Sequence, residues 1–261
     1  EFIVNKITKK DVKRNPFPPF TTSTLQQEAS RKLGFSVSNT MRIAQQLYEA
    51  GLITYMRTDS VNLAQEALDE IREVIKQRYG SDNLPDEPRV YKTKSKNAQE
   101  AHEAIRPTSV VRTPKSIRDH LSKDQYRLYT LIWQRFVASQ MAAAIYDTVS
   151  VDVSGKSGQH TYQLRAAGST IRFPGFLVIY PDPKKKSGEN RENDDNGDVS
   201  IPTDLSVGQF VKLIRLLPKQ HFTQPPARFS EASLVKTLEE NGIGRPSTYA
   251  TILSTLQTRG Y

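Results

Sequence analysis

From residue 15 to about 142, apolar positions recur every three or four residues. Leu25, Ala29 and Leu33 form one set, Met41, Ala44, Leu47 and Tyr48 a second, and Leu68, Ile71 and Ile75 a third. A fourth runs from Tyr129 to Met141 around Trp133. This spacing gives each segment one apolar stripe and predicts a series of amphipathic helices. On either side the period falls to two. FIVNKI at 2–7 reads as a short strand closed by the basic, turn-like KKDVKRNP. YDTVSVDVSG, TYQLRAAGST, FLVIYPDP and GQFVKLIRLLP, between 145 and 218, read as strands punctuated by Gly and Pro. After 229 helical spacing returns.

A strand, a helical block and more strands predict an insertion. Residues 1–14 are expected to pair with the β segment at 143–227, with the helical block 15–142 set between them. Such an insertion is tolerated where its two ends lie close together. PKKKSGENRENDDNGD, 183–198, has no hydrophobic side chain and reads as a solvated loop without a function of its own.

The helical segments also repeat. Displaced by 209 positions without a gap, Phe20 meets Phe229, Thr24 meets Ser233, Leu25 meets Leu234, Ser38 meets Ser247, Ile43 meets Ile252, Leu47 meets Leu256 and Gly51 meets Gly260. A Pro-Pro pair precedes each copy (Pro18-Pro19 and Pro225-Pro226). Each copy reads as helix, turn, helix, glycine stop, with Ser38 and Ser247 as N-caps and the glycines at C′. That is helix-turn-helix geometry, and the residues after Gly51 are expected to open a wing strand.

Composition narrows the partner. The chain has 261 residues, no cysteine and a net charge of +9, from 37 Lys and Arg against 28 Asp and Glu. Absence of cysteine excludes disulfides and thiolate zinc sites within the chain. No apolar run reaches the roughly 18 residues of a membrane span, and EFIVNKITKK lacks the order of a signal peptide. A cytoplasmic location is expected. The basic excess favours a polyanion such as nucleic acid, although a solvated basic surface has the same composition.

Three clusters carry candidate chemistry. GLITYMRTDS, 51–60, places Tyr55, Arg57 and Asp59 at alternate positions, hence on one face of an extended segment. A tyrosine can act as nucleophile and form a covalent intermediate. Arg57 is suited to a developing phenolate and to an attacked phosphate, with Asp59 orienting it. A surface aromatic beside a surface ion pair has the same spacing. In QEAHEAIRPTSV, 99–110, His102 and Arg106 lie four apart and would share a helix face ended by Pro107. His102 is suited to share a proton or donate to phosphate, and Arg106 to neutralise charge or brace the turn. A structural hydrogen-bonding role for the histidine remains open. In ENGIGRPSTYATI, 240–252, two glycines bend the chain before a helix start where Arg245, Ser247 and Thr248 supply donors for a phosphate, or form a plain capped turn.

Taken together, GLITYMRTDS, EAHEAIRPT and PPARFSEASLVKTLEENGIGRPSTYATI resemble the bacterial type IA DNA topoisomerases over essentially the whole chain. The resemblance implies a multidomain α and β fold forming part of a toroid. Its parts would be a β-rich arch (1–14 and 143–227), an inserted helical domain of winged-helix type carrying the tyrosine (15–142), and the start of a second winged-helix-like unit in the base (228–261). It implies that Tyr55 cleaves one DNA strand and becomes joined to its 5′ phosphate. Arg57 would lie beside that phosphate and His102 nearby, with Asp59 and Arg106 in support. Arg245, Ser247, Thr248 and Arg259 would line a single-strand groove.

The family's acidic domain, which holds Mg²⁺ through Asp-x-Asp and a Glu, has no counterpart in this sequence. The cofactor's ligands are therefore expected outside the chain, with none bound by it, and the chain reads as a fragment, inactive alone. Its expected partner is single-stranded DNA, and for the full enzyme negatively supercoiled DNA relaxed without ATP. A monomer is expected, and no membrane partner. A tyrosine recombinase would place its Arg and His before the tyrosine, and a rolling-circle initiator needs paired histidines. A winged-helix single-strand-binding module without catalysis fits the repeat and the charge equally well.

Overall fold

The computed structural model describes residues 2–92, 102–181, 201–202 and 204–261; the whole of the polar 183–198 segment lies outside them. The chain divides into two compact units, residues 1–15, 143–175 and 184–226 in one, and residues 16–142, 176–183 and 227–261 in the other.

The first unit is a four-stranded antiparallel sheet of order β3-β2-β1-β4, formed by β1 (Phe2–Arg14), β2 (Ala144–Ser157), β3 (His160–Phe173) and β4 (Phe210–Val211). β1 pairs with β2 along its length, from Phe2 opposite Gly155 to Arg14 opposite Ala144, with one irregularity between Val4 and Lys6. The strand is therefore twice as long as its apolar start suggests. KKDVKR is no turn, because its charges stand on a sheet solvated on both faces and find cross-strand partners. Arg172 Nη2 lies 2.6 Å from Asp11, and Arg165 Nε lies 2.6 Å from Asp152. β2 and β3 join through two residues, the first being Gly158 at φ +59°, as a two-residue hairpin led by glycine requires. Two expected strands differ. FLVIYPDP turns as a 3₁₀ helix at Gly175–Val178, and GQFVKLIRLLP pairs only at Phe210–Val211. Beyond Val211 its apolar residues are exposed, with Ile214 91% accessible.

The second unit is helical: α1 (Thr22–Leu33), α2 (Val37–Glu49), α3 (Gln65–Tyr79), α4 (Lys123–Ser139), α5 (Glu231–Glu240) and α6 (Tyr249–Thr258). α4 is its centre. From Leu128 onward it is buried on nearly every side, as a helix apolar all round must be. Its polar atoms meet backbone carbonyls. Trp133 Nε1 donates to Val110 O at 2.8 Å, Tyr129 Oη to Arg112 O at 2.7 Å, and the buried Arg135 Nε to Pro18 O at 2.7 Å. The Arg135 guanidinium also stacks on Phe17, Phe20 and Tyr180. Against α4 lie α1 and α2 with Leu25, Ala29, Ile43, Ala44 and Leu47 fully enclosed. α5 packs on α1 and α6 on α2, where Val235, Tyr249 and Leu253 close around Val37.

The repeat is built as its sequence implies at its ends. Thr21 and Ser230 form matching capping boxes with Thr24 and Ser233. α2 ends with Gly51 N–H donating to Tyr48 O and Leu52 N–H to Leu47 O; α6 ends with Gly260 N–H on Gln257 O and Tyr261 N–H on Leu256 O. Both are Schellman closures, with Gly51 at φ +68° and Gly260 at φ +76°. The expected second-helix caps differ. Ser36, not Ser38, caps α2 by accepting from Asn39 N–H, and α6 starts only after Thr248, with no side-chain cap from Ser247.

Candidate active site

The Schellman closure of α2 sends the chain sharply away from the helix into residues 52–54. These run antiparallel to residues 104–108. Thr54 N–H donates to Arg106 O at 2.9 Å, Thr108 N–H to Leu52 O at 3.1 Å, and Ile53 bridges Pro107. The expected wing strand is therefore one bridge long. The partner segment is extended as well. His102 and Arg106 lie on no helix, because residues 104–107 are taken up by backbone bonds to Asn62, Phe20 and Thr54. The 3.6-residue spacing does not apply to them, and their shared helix face is corrected accordingly.

Residues 55–60 lie in no helix or strand and alternate strictly in burial. Met56, Thr58 and Ser60 are buried; Tyr55 and Arg57 are exposed and Asp59 is half-buried. Tyr55 is 40% accessible, and its ring meets Tyr48 edge-on with centroids 5.2 Å apart. The phenol is thus propped by an aromatic wall and open to solvent. Arg57, Asp59 and the exposed His102 make no hydrogen bond or salt bridge among the described residues, so Asp59 does not orient Arg57 as expected. The guanidinium next to the phenol is free to take an anion. Arg106 is committed. Its Nη2 lies 2.8 Å from Glu103 Oε2 and its Nη1 donates to Pro107 O at 2.9 Å, while Glu103 accepts from Ala64 N–H at 2.6 Å. Its role is to brace the turn, one of the two open to it from sequence.

The third cluster approaches the first through one side chain. Tyr249 sits in the apolar contact between the two helix pairs. Burial raises its pKa, the Glu239 and Asp59 carboxylates add to the rise, and Arg245 opposes it. Asp59 and Arg245, from different clusters, therefore both lie within electrostatic range of one phenol. Arg245, Ser247 and Thr248 are exposed, as is Arg259 at the far end of α6. The turn is stiff: Gly242 and Gly244 have φ of +70° and +80°, Arg245 N–H donates to Thr248 Oγ1 at 2.8 Å, and Arg245 Nη1 to Gly244 O at 2.9 Å. A Cβ on Gly244 would stand 3.1 Å from both the Tyr249 ring and Ile252.

A family model described as DNA topoisomerase matches residues 1–261. The chain belongs to the DNA topoisomerase family. It is 55% identical over 267 residues to DNA topoisomerase 1 of Xylella fastidiosa (strain Temecula1 / ATCC 700964), covering 99% of this chain and 32% of that protein. It is 52% identical over 268 residues to DNA topoisomerase 1 of Rickettsia bellii, covering 100% of this chain and 32% of the relative. The full-length topoisomerase I of Thermotoga maritima superposes with a TM-score of 0.81 at 37% identity, over 100% of this chain and 41% of that one. The chain is thus a region of a bacterial type IA DNA topoisomerase I, spanning about a third of the curated relatives it matches.

Within this topoisomerase region the sequence concealed three residues that hold the site. Thr22, in the run TTSTL, is a tertiary anchor bonded to residues 56 and 58. Glu231 accepts from Val37 N–H at 2.6 Å, and Glu239 accepts from Ser23 Oγ at 2.7 Å. These two carboxylates join the helix pairs. No local pattern marks them, since each partner lies about two hundred residues away.

Proposed function

We propose that Tyr55 is the nucleophile of a topoisomerase that cleaves and reseals one DNA strand. The observation that carries this reading is an open phenol followed two residues on by an exposed guanidinium that makes no hydrogen bond or salt bridge among the described residues, on a segment whose alternate residues are buried. The Tyr55 phenol gives up its proton as its oxygen attacks a phosphodiester phosphorus, the bond to the 3′ oxygen breaks, and that oxygen leaves as a hydroxyl by taking up one proton, so none is gained or lost overall. A 5′-phosphotyrosine results. One phosphodiester has replaced another, so resealing needs no ATP. Arg57 stabilises the charge gathered on the phosphate. His102 stands exposed at the edge of the same block to donate to it. Arg245, Ser247, Thr248 and Arg259 hold the strand by its backbone. For the whole protein the reading is relaxation of negatively supercoiled DNA in the cytoplasm, as a monomer at the nucleoid, within a toroid in which 228–261 opens the base domain.

Among the described residues no group of three or more His, Asp or Glu is placed to hold a metal ion. No step here runs through one, and we assign the family's Mg²⁺ to ligands outside this chain. The chain alone is expected to bind single strands weakly and not to cleave them.

The test uses the whole protein with end-labelled single-stranded oligonucleotides, trapped by denaturant. The 3′ label should migrate with protein and the 5′ label should be released, with both lost in Tyr55→Phe. An adduct surviving that substitution would overturn the nucleophile assignment, and no adduct in the parent protein would leave a winged-helix binding module, a reading that the repeated helix pairs and the +9 charge support equally.

A further inference from the structure

Residues 55–60 belong to no ladder, yet they hold a strict alternation, and one residue of α1 accounts for it. Thr22 is fully buried. Its N–H donates to Thr58 O at 2.9 Å, and its Oγ1 accepts from Thr58 N–H at 2.8 Å. The same Oγ1 lies 2.7 Å from Met56 O and 3.0 Å from Thr58 O. A hydroxyl has one hydrogen to give, so the shorter contact, to Met56 O, takes it. Among the described residues Thr22 is the sole residue outside Tyr55–Ser60 that hydrogen-bonds a backbone group of that segment; within it, Ser60 N–H donates to Thr58 Oγ1 at 3.0 Å.

The geometry points to Thr22 as the positioning residue for the nucleophile. Met56 and Thr58 flank Arg57 and, with Tyr55, alternate in facing. Fixing the carbonyl of 56 and both backbone groups of 58 fixes which way 55 and 57 point. A slip of one residue reverses every side chain in such a segment. Upstream, Thr54 plays the complementary part, its Oγ1 donating to Ala104 O at 2.7 Å. Between these two hydroxyls Tyr55 is held without touching either. The α1 N-terminal turn therefore sets the aim of the phenol while leaving its environment open to a strand.

This inference rests on Tyr55 being the nucleophile, and its test separates the two. Thr22→Val keeps the shape and removes the hydroxyl, leaving Met56 O and Thr58 N–H buried without a partner; Thr22→Ser keeps the hydroxyl. In the whole protein, single-turnover adduct formation on an oligonucleotide should fall about tenfold in Thr22→Val and return to near the parent rate in Thr22→Ser, with oligonucleotide Kd unchanged in both. Thermal unfolding of each variant is measured alongside. A Thr22→Val protein that forms adduct at the parent rate overturns the positioning role. So does a rate loss that Thr22→Ser shares, or one matched by an equal loss of binding. An adduct that persists in Tyr55→Phe overturns the nucleophile reading instead, whatever Thr22 does.

Discussion

The two helix pairs, α1–α2 and α5–α6, use the same local rules and reach different ends. Both begin with a capping box and finish with a Schellman glycine. Yet Phe20, Leu25, Ile43 and Leu47 are sealed in the first, while in the second Phe229 is 65% accessible and Leu234, Ile252 and Leu256 are half-buried. The cause is what covers them. α4 and the extended segments at 52–60 and 102–110 wrap the first pair, and the second rests mainly on Val37. The copies also differ in the turn, where α5 ends two residues early and GIGRPST delays the start of α6. The first pair thus became a rigid mount for a tyrosine, and the second a surface offering donors from a stiff turn. Repetition fixes the frame, and its surroundings fix the use.

The sharpest way to break this contrast is to remove the phenol. Tyr55→Phe should lower adduct formation by on the order of 10⁴-fold or more, read by denaturing gel with labelled oligonucleotide. Next comes the difference in burial. Leu25→Ala should cost about 3 kcal/mol in chemical denaturation and its counterpart Leu234→Ala about 1 kcal/mol, because only the first leaves an enclosed cavity. Equal losses would mean that the second pair is covered after all. Arg245→Ala should weaken single-strand binding about tenfold in low-salt anisotropy titrations and flatten the salt dependence by about one unit, without changing the rate of the covalent step at saturating strand.

A smaller effect tests the shared grammar: Thr21→Ala and Ser230→Ala should each destabilise their own helix by about 1 kcal/mol, seen as faster local amide exchange. The last prediction vanishes at neutral pH. Burial pushes the Tyr129 phenol, packed beside the first pair, up to about 12. The unfolded chain then releases that proton at lower pH than the folded one, so stability is intact below about pH 10 and falls as pH rises toward 12. Tyr129→Phe should flatten that fall in alkaline unfolding curves.

Legibility followed the range of the interactions. Helices α1 to α4 were readable because an apolar stripe reports a buried face whatever buries it, and the glycine stops because only a left-handed residue closes a Schellman turn. β1 was cut short because its charged half resembles a turn until a partner strand is present. His102 and Arg106 were assigned a helix because a four-residue spacing is meaningful only if the helix exists, and backbone bonding to Phe20, Thr54 and Asn62 prevents it. The alternation of Tyr55, Arg57 and Asp59 was correct, but its cause was not a strand.

By itself the sequence determined the family, the repeat with its glycine stops, and the alternate exposure of Tyr55 and Arg57, since these depend on residue type and short spacing. Tertiary structure decided that Arg106 is paired with Glu103 while Arg57 makes no bond among the described residues, that two glutamates join the copies, and that a threonine of α1 holds the backbone of residues 56 and 58. The last two outcomes depend on hydrogen bonds between residues 34 to 216 positions apart, and no local pattern encodes a partner at that distance.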